Sequence, residues 1–289
     1  TDSELSASQS FTVTVNAVND APIAISDTAV TNEDESIIIN LSADDIDSNI
    51  LTFVVDNSES SSTISVDGSL VTYMPAADFS GIDSFTFIVT DDGGLQDTGT
   101  ITITVNAVND APTLAAVAGV SFDEDGSGSA TLVGSDIDSI DLTYNVSGGS
   151  ETTIIADLNG ADINFTSYPD YNGSETFTAT VTDGEFVASQ TFAVTVNAVN
   201  DAPTLAAVDA VSFAEDGSTS ITLSGSDIDT ASDDLTYSIS GGSDITASLD
   251  GATITFTASQ DFYGSETFTA TVNDGEYDAS QTFTVTVNA

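Results

Sequence analysis

The sequence predicts an all-β chain of tandem antiparallel sandwiches, on three observations. Apolar and polar residues alternate along short runs, turn residues interrupt those runs at roughly 8–12-residue intervals, and one phrase recurs about every 90 residues. The alternation is cleanest in TFAVTV, where Phe192, Val194 and Val196 share one face and Thr191, Ala193 and Thr195 the other. A period of two marks a half-buried strand with threonine facing solvent. Phe177, Ala179 and Val181 in ETFTATV repeat the pattern on the preceding strand, and DGE makes the turn between the two. LTYNVS and ADINFTS supply earlier strands, and the spacing predicts about seven per repeat. No segment carries a helical period.

The recurring phrase is VNAVNDAP, at 15–22, 105–112 and 196–203. Self-similarity at a fixed period is the signature of a repeat array, and it divides the chain into repeats at 21–110, 111–201 and 202–289. Residues 1–20, TDSELSASQSFTVTVNAVND, match 182–201 and read as the C-terminal strand and linker of a preceding repeat. The second and third repeats are close copies, APTLAAVAGVSFDEDGS against APTLAAVDAVSFAEDGS. Pro112 and Pro203 push their predecessors out of helical geometry, which suits an extended linker. Thr1 falls in mid-pattern with no initiator Met and no signal peptide, so a piece of something longer is expected.

Composition removes much chemistry. The chain of 289 residues has 47 acidic side chains and no Lys, Arg, His, Cys or Trp, a formal charge of −47. Such charge often means disorder, but 40% of the residues are hydrophobic and fall in core-forming alternation. Without His, Cys or Lys there is no serine triad, thiolate nucleophile, Schiff base or His-ligated zinc. Without Lys or Arg nothing neutralises phosphates, so nucleic acid and anionic lipid are not expected partners. No apolar run of about 18 residues exists, so direct membrane insertion is not expected either. Side-chain salt bridges are impossible, so whatever offsets the carboxylate repulsion comes from outside, as cations.

The acidic residues fall in matching loops. Glu-Asp follows the first strand (Glu33-Asp34, Glu124-Asp125, Glu215-Asp216), and Asp-Ile-Asp follows the second (Asp45/Asp47, Asp136/Asp138, Asp227/Asp229). An Asp lies between the last two strands (Asp91, Asp183, Asp274), and the linker holds Asn19-Asp20, Asn109-Asp110 and Asn200-Asp201. A hard cation such as Ca²⁺ takes six to eight oxygens at roughly 2.3–2.6 Å, whereas Mg²⁺ demands tighter octahedral geometry. Loop Asp and Asn also make turns and keep a surface soluble. Four acidic elements recurring in register, in a chain with no internal cation, favour metal binding. No EF-hand loop and no glycine-rich nonapeptide array is present.

These residues resemble the cadherins and the cadherin-like tandem repeats of large bacterial surface adhesins, including the RTX type. The linker motif D-x-N-D-N aligns with Ala107-Val108-Asn109-Asp110-Ala111 and Ala198-Val199-Asn200-Asp201-Ala202. DID matches the DxD motif, the Glu of EDGS the early-strand Glu, and VTDG the late Ala-Val-Asp, while Asp78, Asp170 and Asp261 stand at a further acidic position. The resemblance covers every repeat and implies Ig-like/cadherin-like antiparallel β-sandwiches arranged end to end, with calcium at each linker. It implies Glu33, Asp78, Asn109, Asp110, Asp136, Asp138 and Asp183 as ligands at the first junction. At the second it implies Glu124, Asp170, Asn200, Asp201, Asp227, Asp229 and Asp274. Asn19, Asp20, Asp45, Asp47 and Asp91 would form an incomplete N-terminal site, and Glu215 and Asp261 would await a linker. Two linker positions that ligate in the family are Ala here, so one or two ions per junction are expected.

The leading expectation is therefore a calcium-stiffened extender from a secreted bacterial surface adhesin or extracellular fibre, whose partners are neighbouring repeats. A strand of about ten residues spans roughly 33 Å, so three repeats end to end would reach on the order of 120 Å. An adhesive module for a glycan or protein partner is the alternative. Its exposed aromatic candidates are Tyr168, Tyr171, Phe262 and Tyr263, for which packing under a loop is the expected role. A filament in which residues 1–18 are donated as a strand is a third reading, but each repeat already has its own copy of that strand. Head-to-tail self-association through the unfinished junctions stays open. Paired carboxylates can run glycoside hydrolysis, but these recur in repeated loops, and no enzyme is expected.

Overall fold

The computed structural model describes residues 6–58, 60–150 and 152–289. No helix occurs among them. The chain forms two compact units. One holds the first repeat up to Pro112 together with the loop Asp136–Asp141, and the other holds Thr113–Ser135 and Leu142–Ala289.

In the first unit a four-stranded sheet runs in the order Asp27–Asn32, Gln96–Asn106, Gly81–Thr90, Thr52–Asp56. It packs over a three-stranded sheet of Ile37–Asn40, Leu70–Met74 and Thr63–Asp67, and Ile23–Ile25 pairs briefly with Ser42–Asp44. The second unit contains this plan twice. Its four-stranded sheets are Val120–Asp123, Val187–Asn197, Gly173–Thr182, Thr143–Gly148 and Val211–Ala214, Asp278–Asn288, Gly264–Asn273, Thr236–Gly241.

Among the described residues each repeat has nine strands where the sequence reading expects about seven. The first and second strands are each broken. Thr113–Leu114 pairs with Gly134–Ser135, and the chain then crosses to the other sheet as Val120–Asp123. Small residues mark the crossing (Ala116, Ala118, Gly119), after a last bond from Ala115 N–H to Val133 C=O at 2.9 Å. Unlike the other pairings, the crossed piece runs parallel to the last strand, with Asp123 opposite Asn197. Both therefore run toward the same end of the sandwich. That parallel pairing sets the Glu-Asp turn beside the root of the linker, and Glu124 N–H donates to Asn197 C=O at 3.0 Å.

The inward residues of the alternating strands form the cores. Phe165, Phe177 and Phe192 cluster at centroid separations of 5.2, 5.9 and 6.3 Å, and Phe256, Phe268 and Phe283 repeat the cluster. Each buried ring contributes about 2–3 kcal/mol by area alone. The first repeat solves the same problem differently. It has Phe87 where the others have Ala179 and Ala270, and opposite it Gly99 where they have Gln190 and Gln281. A methyl group at Gly99 would lie 2.5 Å from the Phe87 ring, so the large residue fits only because its neighbour has no side chain. Tyr171 and Phe262 pack against the cores as expected, whereas Tyr168 and Tyr263 are exposed.

A second carboxylate pattern, which the sequence reading did not single out, ties a loop in each sandwich. Glu266 accepts N–H bonds from Ser243, Asp244 and Ile245 and the Ser243 hydroxyl at 2.6 Å. Glu175 holds Ser150 and Thr153 in the same way, and Asp83 holds Ser60, Ser62 and Tyr73. Burial works against ionisation of Glu266, but these donors outweigh it and hold the carboxyl at about 2 against an ordinary 4.5. A carboxyl depressed on folding stabilises the fold above its unfolded value and loses that contribution as pH falls through its folded one. Glu266→Gln is expected to lose about 1 kcal/mol at pH 7, after allowance for partial exposure. The gap should close between pH 4.5 and about 2 in urea unfolding. Equal stability of the two proteins at pH 7 would refute it.

Residues 6–20 do not form the strand expected of a preceding repeat's tail, and Phe11, Val13 and Val15 are 86%, 73% and 89% exposed. In the three sandwiches the matching strand is held by ladders on both sides. Among the described residues nothing offers such a ladder to 6–20. Residues 1–5 of that tail lie outside the described residues.

Candidate metal centre

The base of each sandwich presents two aspartates in left-handed backbone. Asp125 (φ 60°) ends the turn after Val120–Asp123, and Asp170 (φ 58°) ends the turn after Asp162–Ser167. The pairs Asp34/Asp78 and Asp216/Asp261 lie at φ 57–61°, and these six are the only non-glycine residues with positive φ among the described residues. Asp tolerates that conformation better than most side chains. Its recurrence at one end of every repeat points to placement of carboxylates. The turn sends Asp125 outward and Glu124 inward, where Glu124 is only 6% exposed.

The linker crosses this base. Val199 N–H donates to Glu124 Oε1, as Val108 N–H does to Glu33 Oε1. Two residues on, Asp201 N–H donates to Asp229 Oδ2 at 2.7 Å, Asp110 N–H to Asp138 Oδ2 at 2.8 Å, and Asp20 N–H to Asp47 Oδ2 at 2.8 Å. The Asp-Ile-Asp loop is self-organised, since Asp227 Oδ1 accepts the N–H groups of Asp229 and Thr230. Asp136 and Asp45 do the same in their loops.

Three groups of carboxylates result, each with candidate ligand atoms within 4.8 Å of one another: Asp34, Asp78 and Asp110; Glu124, Asp201 and Asp229; and Asp125, Asp170 and Asp201. Oxygens on a common ion at about 2.4 Å lie no farther apart than roughly this. Asp201 belongs to two groups. Burial first, then repulsion from Asp170, Asp229, Asp125 and Glu124, pushes its carboxyl above the usual range. Asp110 is raised likewise, by burial and then by Asp138, Asp78, Asp34 and Glu33.

A fit to a hard cation can be tested on hydrogen bonding. Buried polar atoms are normally paired, yet Oδ2 of Asp45, Asp110, Asp136, Asp201 and Asp227 and Oε2 of Glu124 are buried without a partner. All six are carboxylate oxygens of the linker and the loops around it. The donor set is all oxygen, the set Ca²⁺ prefers, so the residues fit.

Several expected ligands also take part in hydrogen bonds within the protein. Asn200 Nδ2 donates to Asp274 Oδ2 at 2.9 Å, and Asn19 Nδ2 to Asp91 Oδ2 at 2.7 Å. Burial opposes ionisation at Asp274, but N–H bonds from Glu276 and Tyr277 and the Asn200 amide hold its carboxyl below the usual range. Asp183 Oδ1 accepts the N–H groups of Glu185 and Phe186, each at 2.7 Å. Conversely Asp34 and Asp125, absent from the ligand set implied by resemblance, sit inside the carboxylate groups. Their signal was the acidic pair, repeated in all three repeats.

A family model described as a bacterial Ig domain matches residues 19–104, 109–197 and 200–288. No curated protein matches the sequence. Among solved structures, mouse cadherin-23 EC22–24 is similar at a TM-score of 0.58 and 19% identity, over 93% of this chain and 99% of that one. The extracellular domain of protocadherin gammaB4 is similar at 0.57 and 18%, over 95% of this chain. The chain spans about half of that ectodomain, 51% of its length. At these identities the likeness is one of fold. No helix among the described residues is long and apolar enough to cross a membrane.

Proposed function

We propose, for a chain that belongs to the bacterial Ig domain family, that it is a calcium-stiffened extender region of an extracellular fibre or secreted bacterial surface adhesin, of the RTX type in its repeat design. The single observation that carries this reading is the set of buried, unpartnered carboxylate oxygens gathered at the linkers. In a chain without one basic side chain, only an external cation can offset them. Calcium, when bound, supplies that positive charge and takes carboxylate oxygens as ligands.

At the second linker Glu124, Asp125, Asp170, Asp201, Asp227 and Asp229 would hold it. At the first, the corresponding residues are Glu33, Asp34, Asp78, Asp110, Asp136 and Asp138. Repeat boundaries at 21–110, 111–201 and 202–289, with residues 1–20 as the tail of a preceding repeat, belong to the same reading. So does an extracellular location. The role is mechanical, and the reading assigns no catalytic residue. Small-angle X-ray scattering tests it: calcium is expected to give a longer, narrower distribution of interatomic distances than excess chelator. Superimposable curves would sink the proposal.

A further inference from the structure

The two attachments of the linker are unequal. Toward the third repeat, Asp201 N–H is bonded to Asp229 and the Asn200 amide to Asp274. Pro203 is buried and Leu205 belongs to the third core. Toward the second repeat, after the strand ends at Asn197, one backbone bond remains, from Val199 N–H to the buried Glu124. The charges are just as lopsided. Of the four carboxylates that crowd Asp201, Glu124, Asp125 and Asp170 belong to the second repeat, and only Asp229 to the third.

We infer that the hinge of this joint lies at Ala198–Val199, so that without a cation Asn200–Asp201 stay docked on the third repeat while the base of the second repeat lets go. An independent observation supports the asymmetry. Asn19 and Asp20 make the same two bonds, to Asp91 and Asp47. The attachment to the following repeat thus recurs with the same partners at the first and third copies of the linker phrase. The base has the same form in each repeat, since Asp216 and Asp261 share the left-handed backbone of Asp125 and Asp170. The joint is thus held more firmly on the side of the third repeat, and on the calcium reading the ion would close the weaker side.

This inference rests on the calcium reading above, and amide hydrogen exchange by NMR on the full chain separates the two. With calcium, Val199 and Asp201 N–H should both be protected. In excess chelator Val199 should lose protection by roughly tenfold or more, while Asp201 and Asp20 keep theirs, because their segments are also anchored by the Asn200 and Asn19 amides. Asp229→Ala, also in chelator, should release Asp201 and leave Asp20 unchanged. If Asp201 loses protection in step with Val199, the hinge assignment is overturned while the calcium reading stands. Identical rates with calcium and with chelator overturn the calcium reading and this inference with it.

Discussion

Saturating calcium is expected to raise the midpoint of thermal unfolding by about 10–20 °C over excess chelator. An ion that binds only the folded chain stabilises it by about 2.7 kcal/mol at a hundredfold excess over its dissociation constant. A unit of 60–100 residues gains about 4–8 °C per kcal/mol, which sets the range. The metal-free fold starts from an unfavourable position, with six buried carboxylate oxygens unpartnered and the Asp110 and Asp201 carboxyls pushed up. Scanning calorimetry with calcium, magnesium and chelator decides it. Magnesium should do less, because the loops offer no tight octahedral cage. One midpoint in all three conditions would mean that the acidic loops only make turns and keep the protein soluble.

Asp201→Asn should change sign with the metal. The Asp201 carboxyl is pushed above its usual range by burial and by carboxylates around it. Its charged form is thus disfavoured in the fold, and without metal stability rises as pH falls toward that raised value. In chelator the asparagine variant should accordingly melt at or above the unmodified protein. Its backbone N–H still reaches Asp229, so linker docking is kept. With calcium the order should reverse, because Asp201 is common to two carboxylate groups. A lost ligand and a lost charge should weaken binding about tenfold or more. Calorimetric titration reads the affinity and melting in both buffers reads the crossing. Destabilisation by the same amount with and without calcium would show that Asp201 serves only the protein framework.

The parts of the fold that follow from periodicity were legible in the sequence. Phe177, Ala179 and Val181 are buried because alternation in a strand has one meaning once a core exists on one side. The broken first strand was not legible. The pieces Thr113–Leu114 and Val120–Asp123 are too short to show a period, and their partners, Gly134–Ser135 and the last strand, are distant in sequence. At the linker, recurrence in register marked the loops, but it could not say which oxygens are orphaned. Nor could it show that Asn200 and Asp274, both in the expected ligand set, are bonded to each other. Asp34 and Asp125 are written beside the expected glutamates, and only the left-handed turn reveals that they reach the same place.

The exchange of Phe87 with Gly99 in the first repeat, against Ala179 with Gln190 and Ala270 with Gln281 in the others, bears on how such a chain can be lengthened or recombined. The first core differs from the other two as a matched set, while the acidic loops at the two ends of each repeat occupy matching positions in all three. A single-residue graft from one core into another would leave a void or a clash. A whole repeat cut at the VNAVND phrase carries its own packing and meets a neighbour through the loops that every repeat holds in common. Duplication of complete modules is therefore the tolerated currency of change in this array, and length can vary without any core being redesigned.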